Sequence, residues 1–465
     1  MDELRKNGLH RDLKERHIRL IGLGTCIGVG LFLGSSAAIK LAGPAVMLAY
    51  LIAGLFIYVV MRALGEMCVH NPVAGSFSRY AHDYLGPMAG FVSGWNYWFL
   101  WIVTCLAEVT AVAIYMGVWF PSVAPWIWAM TSLMLMVAIN LLSVKVFGEF
   151  EFWFSLIKVV TILGLIITGL GLIIFGIGNN GHPMGISNLW SHGGFMPHGV
   201  FGVMMAFQMV TFAYGGIEII GLTAGEAKHP KTTIPQAIRS VPWRILLFYV
   251  GAIFVILSIY PWNAEGQGSP FVSTFEALGI KSAAGLINFV VITAALSSCN
   301  GGIYSTGRML MNLTDQQQAP RFFGKTTVHG VPRRALMLTL VMLFIGVLLN
   351  YMAPAKVFIW LTAVAATGNI TTWILILLAQ IRFRRGLIQI EVDTCDFRMP
   401  GWPLTSYAAL AFMLFVLGIM AYMEDTRLGV IAGALWLIYL TGVYWTVYRK
   451  KKGVLVNSVS YPSID

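Results

Sequence analysis

Apolar windows of about 20 residues recur along this sequence, and their repetition constrains the fold more than any other feature. The hydrocarbon core of a bilayer is about 30 Å thick, and an α-helix crosses it in roughly 20 residues. About twelve such windows occur, and we number them spans 1 to 12. They cover residues 18–41, 45–69, 88–119, 125–147, 152–176, 199–225, 243–262, 282–311, 335–353, 356–381, 403–423 and 428–448. The sequence therefore predicts an all-α integral membrane protein with about twelve transmembrane helices.

The composition agrees with a lipid environment. Hydrophobic residues make up 57% of the chain and charged residues 11%, whereas a soluble domain carries about 25% charged residues. The net charge of +11 would suggest a nucleic-acid partner, but the Lys and Arg residues fall in alternate loops instead of on one face. We therefore expect a bilayer and no nucleic acid as partner. Because Lys- and Arg-rich loops stay in the cytoplasm, we expect both termini to be cytoplasmic.

Glycine is concentrated inside span 1, in GLGTCIGVGLFLG at residues 22–34. Irregular backbone survives at membrane depth only where protein buries it or it lines a wet cavity, so the cluster predicts a break in the helix. A second break is predicted in span 6, at FAYGGIE, residues 212–218. Two interrupted helices in corresponding positions of two halves indicate the substrate site of a secondary transporter. The alternative is close helix packing alone, because Gly30 and Gly34 fit the small-xxx-small pattern.

The two breaks predict a site for an amino-acid zwitterion. A broken helix exposes N–H groups on one half and C=O groups on the other, and these suit a carboxylate and an ammonium group respectively. The N–H groups expected to bind the carboxylate belong to Gly28, Val29 and Gly30, and the carbonyls expected to bind the ammonium lie near Thr25, Cys26, Phe212 and Ala213. Phe212 and Tyr214 flank the second break and could cover a bound side chain, although plain packing is the alternative.

Ionisable residues inside the spans are few, and each costs about 2.5–3.5 kcal/mol on insertion scales, so they are functional candidates. Lys158 in span 5 could exchange a proton during transport, since desolvation disfavours an ammonium ion. Its long side chain could instead reach the cytoplasmic interface. Glu218 follows the break in span 6, where it could cap free N–H groups or act as a protonatable gate. Glu108 in span 3 could face the cavity or have a hydrogen-bonded structural role.

Other functions fit the sequence less well. The five cysteines are scattered and form no CxxC pair, so neither a disulfide framework nor a zinc site is indicated, and we expect no metal. An intramembrane enzyme would need paired aspartates or a Ser/His pair within the spans, and no aspartate or histidine lies well inside one. A channel fits less well than a carrier because two broken helices in one chain suit alternating access. An exchanger or an amino-acid sensor remains open.

Six segments together resemble bacterial amino-acid permeases, the amino acid transporter family of the amino acid–polyamine–organocation superfamily. They are RHIRLIGLGTCIGVGLFLGS (16–35), AGPAVMLAYLIAG (42–54), MRALGEM (61–67), VKVFGEFEFWFSLIKV (144–159), FAYGGIEIIGLTAGEAKHP (212–230) and NFVVITAALSSCNGGIYSTGRML (288–310). The resemblance implies the LeuT-like five-plus-five inverted-repeat fold, with helices 1 and 6 discontinuous and two appended helices. It also implies import of a free L-amino acid across the bacterial inner membrane by proton symport, with the proton gradient as energy source and no cofactor.

The implied domain organisation is a transport core between two cytoplasmic segments. Its parts are a cytoplasmic segment at 1–17, a core at 18–381 made of repeats at about 18–176 and 199–381, two appended helices at 403–448 and a cytoplasmic tail at 449–465.

The same resemblance assigns roles to individual residues. Thr25 through Gly30 and Phe212 through Gly215 would form the substrate cradle. Lys158 would replace the sodium ion of sodium-coupled relatives, and Glu218 would be linked to gating or protonation. Val29 stands where small relatives have serine, so the carboxylate would be recognised there by backbone alone.

Three further segments are most similar to proline and histidine permeases. They are VHNPVAGSFSRYA (69–81), AIYMGVWFP (113–121) and SIYPWN (258–263). Threonine, alanine or serine, and aromatic amino acids are the next substrates that the resemblance implies.

Overall fold

The protein is helical throughout the part of the chain that the computed structural model describes. The described residues are 27–73, 75–142, 144–222, 229–264, 269–272, 281–327, 331–352, 354–387 and 397–449. Within these ranges no β-strand occurs. The all-α prediction is confirmed.

The first five spans are long helices joined by short connections. Span 1 consists of Val29–Phe32 and Gly34–Ala42, span 2 of Val46–His70, span 3 of Pro87–Trp119, span 4 of Pro125–Leu142 and span 5 of Val144–Phe175. Two short helical segments, Ser76–Tyr80 and Ala81–Leu85, connect spans 2 and 3. Gly43 has φ +62° and turns the chain between spans 1 and 2, a conformation that glycine adopts without a Cβ clash.

The second group of spans starts after the connection that contains Asn188–Ser191. Span 6 consists of Gly199–Ala213 and Ile219–Leu222, span 7 of Val241–Arg244, Ile245–Gly251 and Ala252–Ile259, span 8 of Lys281–Asp315, span 9 of Arg333–Met352 and span 10 of Pro354–Gly386. A surface helix, Pro230–Arg239, precedes span 7. Spans 11 and 12 are Leu404–Tyr422 and Glu424–Val443, the latter extended by Tyr444–Tyr448.

Nine helices among the described residues are long and apolar enough to cross a membrane, and they agree with the twelve predicted windows. Val29–His70 is one helical stretch that covers residues 29–41 of the first window and the whole of the second window. Gly199–Ala213 is shorter because span 6 is interrupted, as predicted. Arg333–Met352 occupies the window of span 9. The chain is therefore a multi-pass membrane protein.

Burial separates an inner group of helices from an outer one. The apolar windows of spans 3, 8 and 10 are 78%, 83% and 72% buried, whereas those of spans 11 and 12 are 28% and 6% buried. Spans 3 and 8 pack against each other along their length. Large apolar side chains on the outer helices, such as Leu404 and Ile438, are exposed and suit contact with lipid tails. The inner group surrounds the two helix breaks.

Candidate functional site

Span 6 is interrupted between two helices. The first helix ends at Ala213, residues 214–218 form turns, and a second helix begins at Ile219. Gly216 has φ +93°, which favours glycine and prevents the helix from continuing. The predicted discontinuity of span 6 is confirmed, and Gly215 and Gly216 form its turn.

The described part of span 1 begins with extended backbone. Gly28 has φ −115° and ψ −158°, and the helix starts at Val29. We call this helix start the break in span 1; the residues before Ile27 lie outside the part of the chain that the structure describes. The N–H groups of the first helical turn have no partner within a helix, so Val29 and Gly30 can present them to another group. Thr25 and Cys26, which the sequence also placed in the cradle, lie outside the described residues.

Gly30 brings the two breaks together. A Cβ atom at Gly30 would lie 2.5 Å from the Cα atom of Ala213 and 3.0 Å from its Cβ atom. A side chain at position 30 would therefore push spans 1 and 6 apart. The glycine serves packing here, and the same close approach places both interrupted backbones at one cavity. Packing and ligand binding are thus compatible explanations of the glycine cluster.

A small cavity lies between the breaks and spans 3, 8 and 10. Its walls are formed by Gly28, Gly30, Trp101, Thr104, Glu108, Phe212, Ala213, Gly215, Gly216, Ser298 and Asn369. The free space is about 10 Å³, which is room for about one water molecule. Binding of a larger molecule requires the walls to separate.

Glu108 of span 3 contacts the break in span 1 directly. Its Oε2 atom accepts a hydrogen bond of 3.2 Å from the backbone N–H of Val29, and its side chain is buried. A Cβ atom on Gly28 would collide with the Glu108 carboxyl group. A carboxyl group of the protein therefore binds one of the N–H groups that the sequence predicts for a ligand carboxylate, and ligand binding there stays a prediction.

Lys158 of span 5 contacts the same break from the other side. Its ammonium group donates hydrogen bonds of 3.1 Å to the backbone carbonyl of Ile27 and 2.9 Å to the Ser297 hydroxyl of span 8. The side chain is fully buried, so it does not extend to the membrane surface. A cation thus links extended backbone in span 1 to spans 5 and 8.

Glu218 lies at the other end of the break in span 6. Its Oε2 atom accepts a hydrogen bond of 3.2 Å from the indole N–H of Trp373 in span 10. The Tyr97 hydroxyl and the backbone amide of Gly216 are further neighbours of the carboxyl group. Glu218 therefore ties the turn of span 6 to spans 3 and 10 and does not line the cavity.

Tyr214 points away from the cavity. Its hydroxyl donates to the backbone carbonyl of Tyr50 in span 2 at 2.8 Å, and its ring packs on those of Tyr50 and Tyr249 at centroid distances of 6.0 and 4.8 Å. The Tyr249 hydroxyl donates to the carbonyl of Ala213 at 3.0 Å. Phe212, in contrast, forms part of the cavity wall. Of the two flanking aromatic residues, Phe212 is therefore the one placed to cover a ligand.

Several polar residues in and near this site were not predicted from the sequence. Thr104 and Asn369 line the cavity from spans 3 and 10, and no local signal marks them because helix periodicity does not show which helices meet. Glu151 is buried and accepts a hydrogen bond of 2.7 Å from Ser297. It precedes Lys158 by about two helical turns and so shares its face, a signal that was available.

Comparison with known proteins identifies the family. The profile of the amino acid permease family matches residues 17–456. The chain belongs to the amino acid permease family. It is therefore a membrane transporter of amino acids and not an enzyme.

Relatives in Bacillus subtilis (strain 168) match this permease over nearly its whole length. The uncharacterized amino acid permease YtnA is 58% identical, over 97% of this chain and 98% of the relative. The probable threonine/serine transporter YbxG is 48% identical, over 94% and 95%. The amino-acid permease AapA is 46% identical, over 95% and 96%.

A larger cavity of about 410 Å³ lies elsewhere in the permease. His82, Pro87, Gln318, Tyr444 and Tyr448 are among its walls. It contacts neither break, so it offers no interrupted backbone to an amino acid.

Proposed function

We propose that this permease imports a small neutral L-amino acid by proton symport, with threonine and serine as the best-supported substrates. It would act in the bacterial inner membrane with both termini in the cytoplasm, as the distribution of Lys and Arg predicts. The observation that carries the proposal is the hydrogen bond between the Glu108 carboxylate and the N–H of Val29. In this contact a carboxylate of the protein itself binds the backbone N–H that we expect to bind the carboxylate of the substrate.

The same contact suggests how protons and substrate are linked. An ionised Glu108 competes with a substrate carboxylate for the N–H groups at Val29 and repels it. A protonated Glu108 removes the repulsion and frees the backbone donors. Lys158, on the carbonyl side of the same break, favours the substrate carboxylate while its ammonium group is protonated, and it no longer does so once it has lost that proton. Proton binding and substrate binding would therefore support each other.

The cavity favours a small, hydroxylated side chain. Its walls combine the polar groups of Thr104, Ser298 and Asn369 with the rings of Trp101 and Phe212. A hydroxyl group suits the amide and hydroxyl partners, and a wall built to hydrogen-bond a hydroxyl discriminates against analogues that lack it. The relative named a probable threonine/serine transporter supports the same substrates. The similarity of three segments to proline and histidine permeases remains a competing prediction.

Uptake by the purified permease in proteoliposomes tests this function. Radiolabelled L-threonine should accumulate with saturation when the outside is acidic, and a protonophore should abolish the accumulation. Unlabelled L-serine should compete, whereas D-threonine should not. Competition by L-proline or L-histidine, with none by L-serine, would overturn the substrate assignment only. Uptake that ignores the proton gradient would overturn symport, and uptake without saturation would indicate a channel.

A further inference from the structure

A continuous chain of buried hydrogen bonds leads from Lys158 to Glu151. The Lys158 ammonium donates to the Ser297 hydroxyl at 2.9 Å, and the same hydroxyl donates to Oε1 of Glu151 at 2.7 Å. A serine hydroxyl can accept one hydrogen bond and donate another at the same time. Ser297 therefore connects a cation to a carboxylate without an intervening gap.

Further donors converge on Glu151. The Ser155 hydroxyl donates to Oε1 at 3.4 Å, and the Asn300 amide donates to Oε2 at 3.3 Å. Asn140 of span 4 donates to the Asn300 carbonyl oxygen at 2.8 Å. Spans 4, 5 and 8 thus contribute to one network around a carboxyl group that is fully buried.

The position of Glu151 is on the side of Lys158 towards the start of span 5. About two helical turns separate the two residues, which is a distance of about 10 Å along the helix. The positive-inside rule predicts that this end of span 5 faces the cytoplasm. Beyond Asn140 lies a cavity of about 20 Å³, which Tyr304 and Arg308 also line, and a cavity of this size has room for about one water molecule.

We propose that Glu151 accepts the proton that Lys158 releases, through Ser297, and passes it to the cytoplasmic side. This proposal rests on the proton symport proposed above. It makes Glu151 a positioning residue of the transport cycle, since it acts through Lys158 and touches no substrate.

The transfer conserves atoms and charge. One N–H bond of the Lys158 ammonium breaks as Ser297 Oγ gains a proton, and the original O–H bond of Ser297 breaks as Glu151 Oε1 gains one. Lys158 and Glu151 both end neutral, and Ser297 is restored. The O–H bond of Glu151 then breaks as a water molecule on the cytoplasmic side accepts the proton, and the Glu151 carboxylate is restored. No oxidant or reductant is needed.

The charged groups around Glu151 fit this role. Lys158 is the ionisable neighbour whose charge acts on the Glu151 carboxyl among the described residues. Ser297 and Asn300 of span 8 and Asn140 of span 4 face it with neutral groups. Glu108 binds the N–H of Val29, two residues from the Ile27 carbonyl that Lys158 binds, and the charge of Lys158 also acts on the Glu108 carboxyl group. Arg308 of span 8 lines the cavity beyond Asn140.

The test separates net uptake from exchange in proteoliposomes. The probes are radiolabelled L-threonine and a pH-sensitive dye inside the vesicles, with the wild-type protein and the Glu151→Gln variant. Exchange of internal for external threonine needs no release of the proton, so it should stay at the wild-type level in the variant. Net threonine uptake and internal acidification should both fall by about a hundredfold, the typical contribution of a positioned proton acceptor.

The other possible results of this experiment decide for or against the relay, or against symport. Net uptake and acidification at the wild-type level in Glu151→Gln would overturn the proposal. If Glu151→Gln loses exchange as well, the Glu151→Asp variant is measured in its place. A shift in how its net uptake depends on internal pH would support the relay. An unchanged dependence, or a complete loss of uptake in this variant too, would show that Glu151 has a structural role only. Failure of the wild-type protein to acidify the vesicles would overturn proton symport itself and the relay with it.

Discussion

The two helix breaks are held by different chemistry. Ionisable groups contact the break in span 1: the Glu108 carboxylate binds the N–H of Val29, and the Lys158 ammonium binds the carbonyl of Ile27. Neutral groups contact the start of the break in span 6, where the Tyr249 hydroxyl binds the carbonyl of Ala213 and the Asn369 amide lies against Gly215. An ionisable group follows at Glu218, the last residue of the turn, whose carboxyl group lies beside the backbone amide of Gly216 and the Trp373 indole.

This difference suggests a division of roles between the breaks. Contacts that depend on ionised groups change when a proton is gained or lost, so span 1 can respond to the proton gradient. Contacts between neutral groups do not change with pH in this way, so the start of the break in span 6, at Ala213 and Gly215, provides a surface whose contacts stay the same when a proton is gained or lost. We therefore expect substitutions around span 1 to alter energy coupling and those around span 6 to alter affinity.

Loss of the Lys158 ammonium should have the largest effect. In Lys158→Ala the carbonyl of Ile27 and the hydroxyl of Ser297 lose a charged donor, and such a hydrogen bond is worth up to about 3 kcal/mol, so we expect proton-driven uptake to fall by about a hundredfold. Threonine binding should remain measurable by thermal shift. Lys40→Ala is the matched control, because Lys40 is exposed at the other end of span 1. Intact, pH-dependent uptake by Lys158→Ala would show that charge at span 1 is not needed for coupling.

A methyl group at Gly30 should have the next largest effect on transport, because it would push the two breaks apart. In Gly30→Ala the new Cβ atom meets the backbone of Ala213, and such overpacking costs about 1–3 kcal/mol. We expect a lower midpoint of thermal unfolding and an apparent threonine affinity weaker by about tenfold. Gly164→Ala in span 5 is the control, since nothing lies within 4 Å of a Cβ atom there. Equal behaviour of the two variants would mean that the breaks need not approach closely.

Removal of the Tyr249 hydroxyl of span 7, which binds span 6, should have the smallest effect on transport. Tyr249→Phe deletes the donor to the carbonyl of Ala213, at a net cost of about 1 kcal/mol for a neutral hydrogen bond. We expect KM for threonine to rise by about fivefold, with the dependence of uptake on pH unchanged. Tyr214→Phe loses a similar bond, to Tyr50 instead, and serves for comparison. A shifted pH profile in Tyr249→Phe would contradict the division between the two breaks.

Span boundaries were largely predictable because bilayer thickness and Pro or Gly residues fix them. The window 45–69 became Val46–His70, and the window 88–119 became Pro87–Trp119. The predicted turn in span 6 was visible as a pair of glycines. Span boundaries and turns depend on local sequence, so they could be predicted without knowing which helices pack together.

The contacts of the site could not be predicted in the same way. Span 5 was expected to begin at residue 152, so Glu151 fell just outside it, whereas the helix starts at Val144 and buries that carboxyl group. Tyr214 was expected beside the ligand but faces spans 2 and 7. Both cases depend on which helices become neighbours, and this is set by tertiary packing over long sequence separations.

Hydrogen–deuterium exchange can show whether backbone at the two breaks binds the amino acid. Saturating L-threonine should slow exchange of the amides at residues 28–30 and 214–218 in the reconstituted protein. D-threonine should not slow it, and peptides from spans 11 and 12 should not change. Saturable threonine uptake without any protection of these amides would contradict a substrate site built from interrupted backbone.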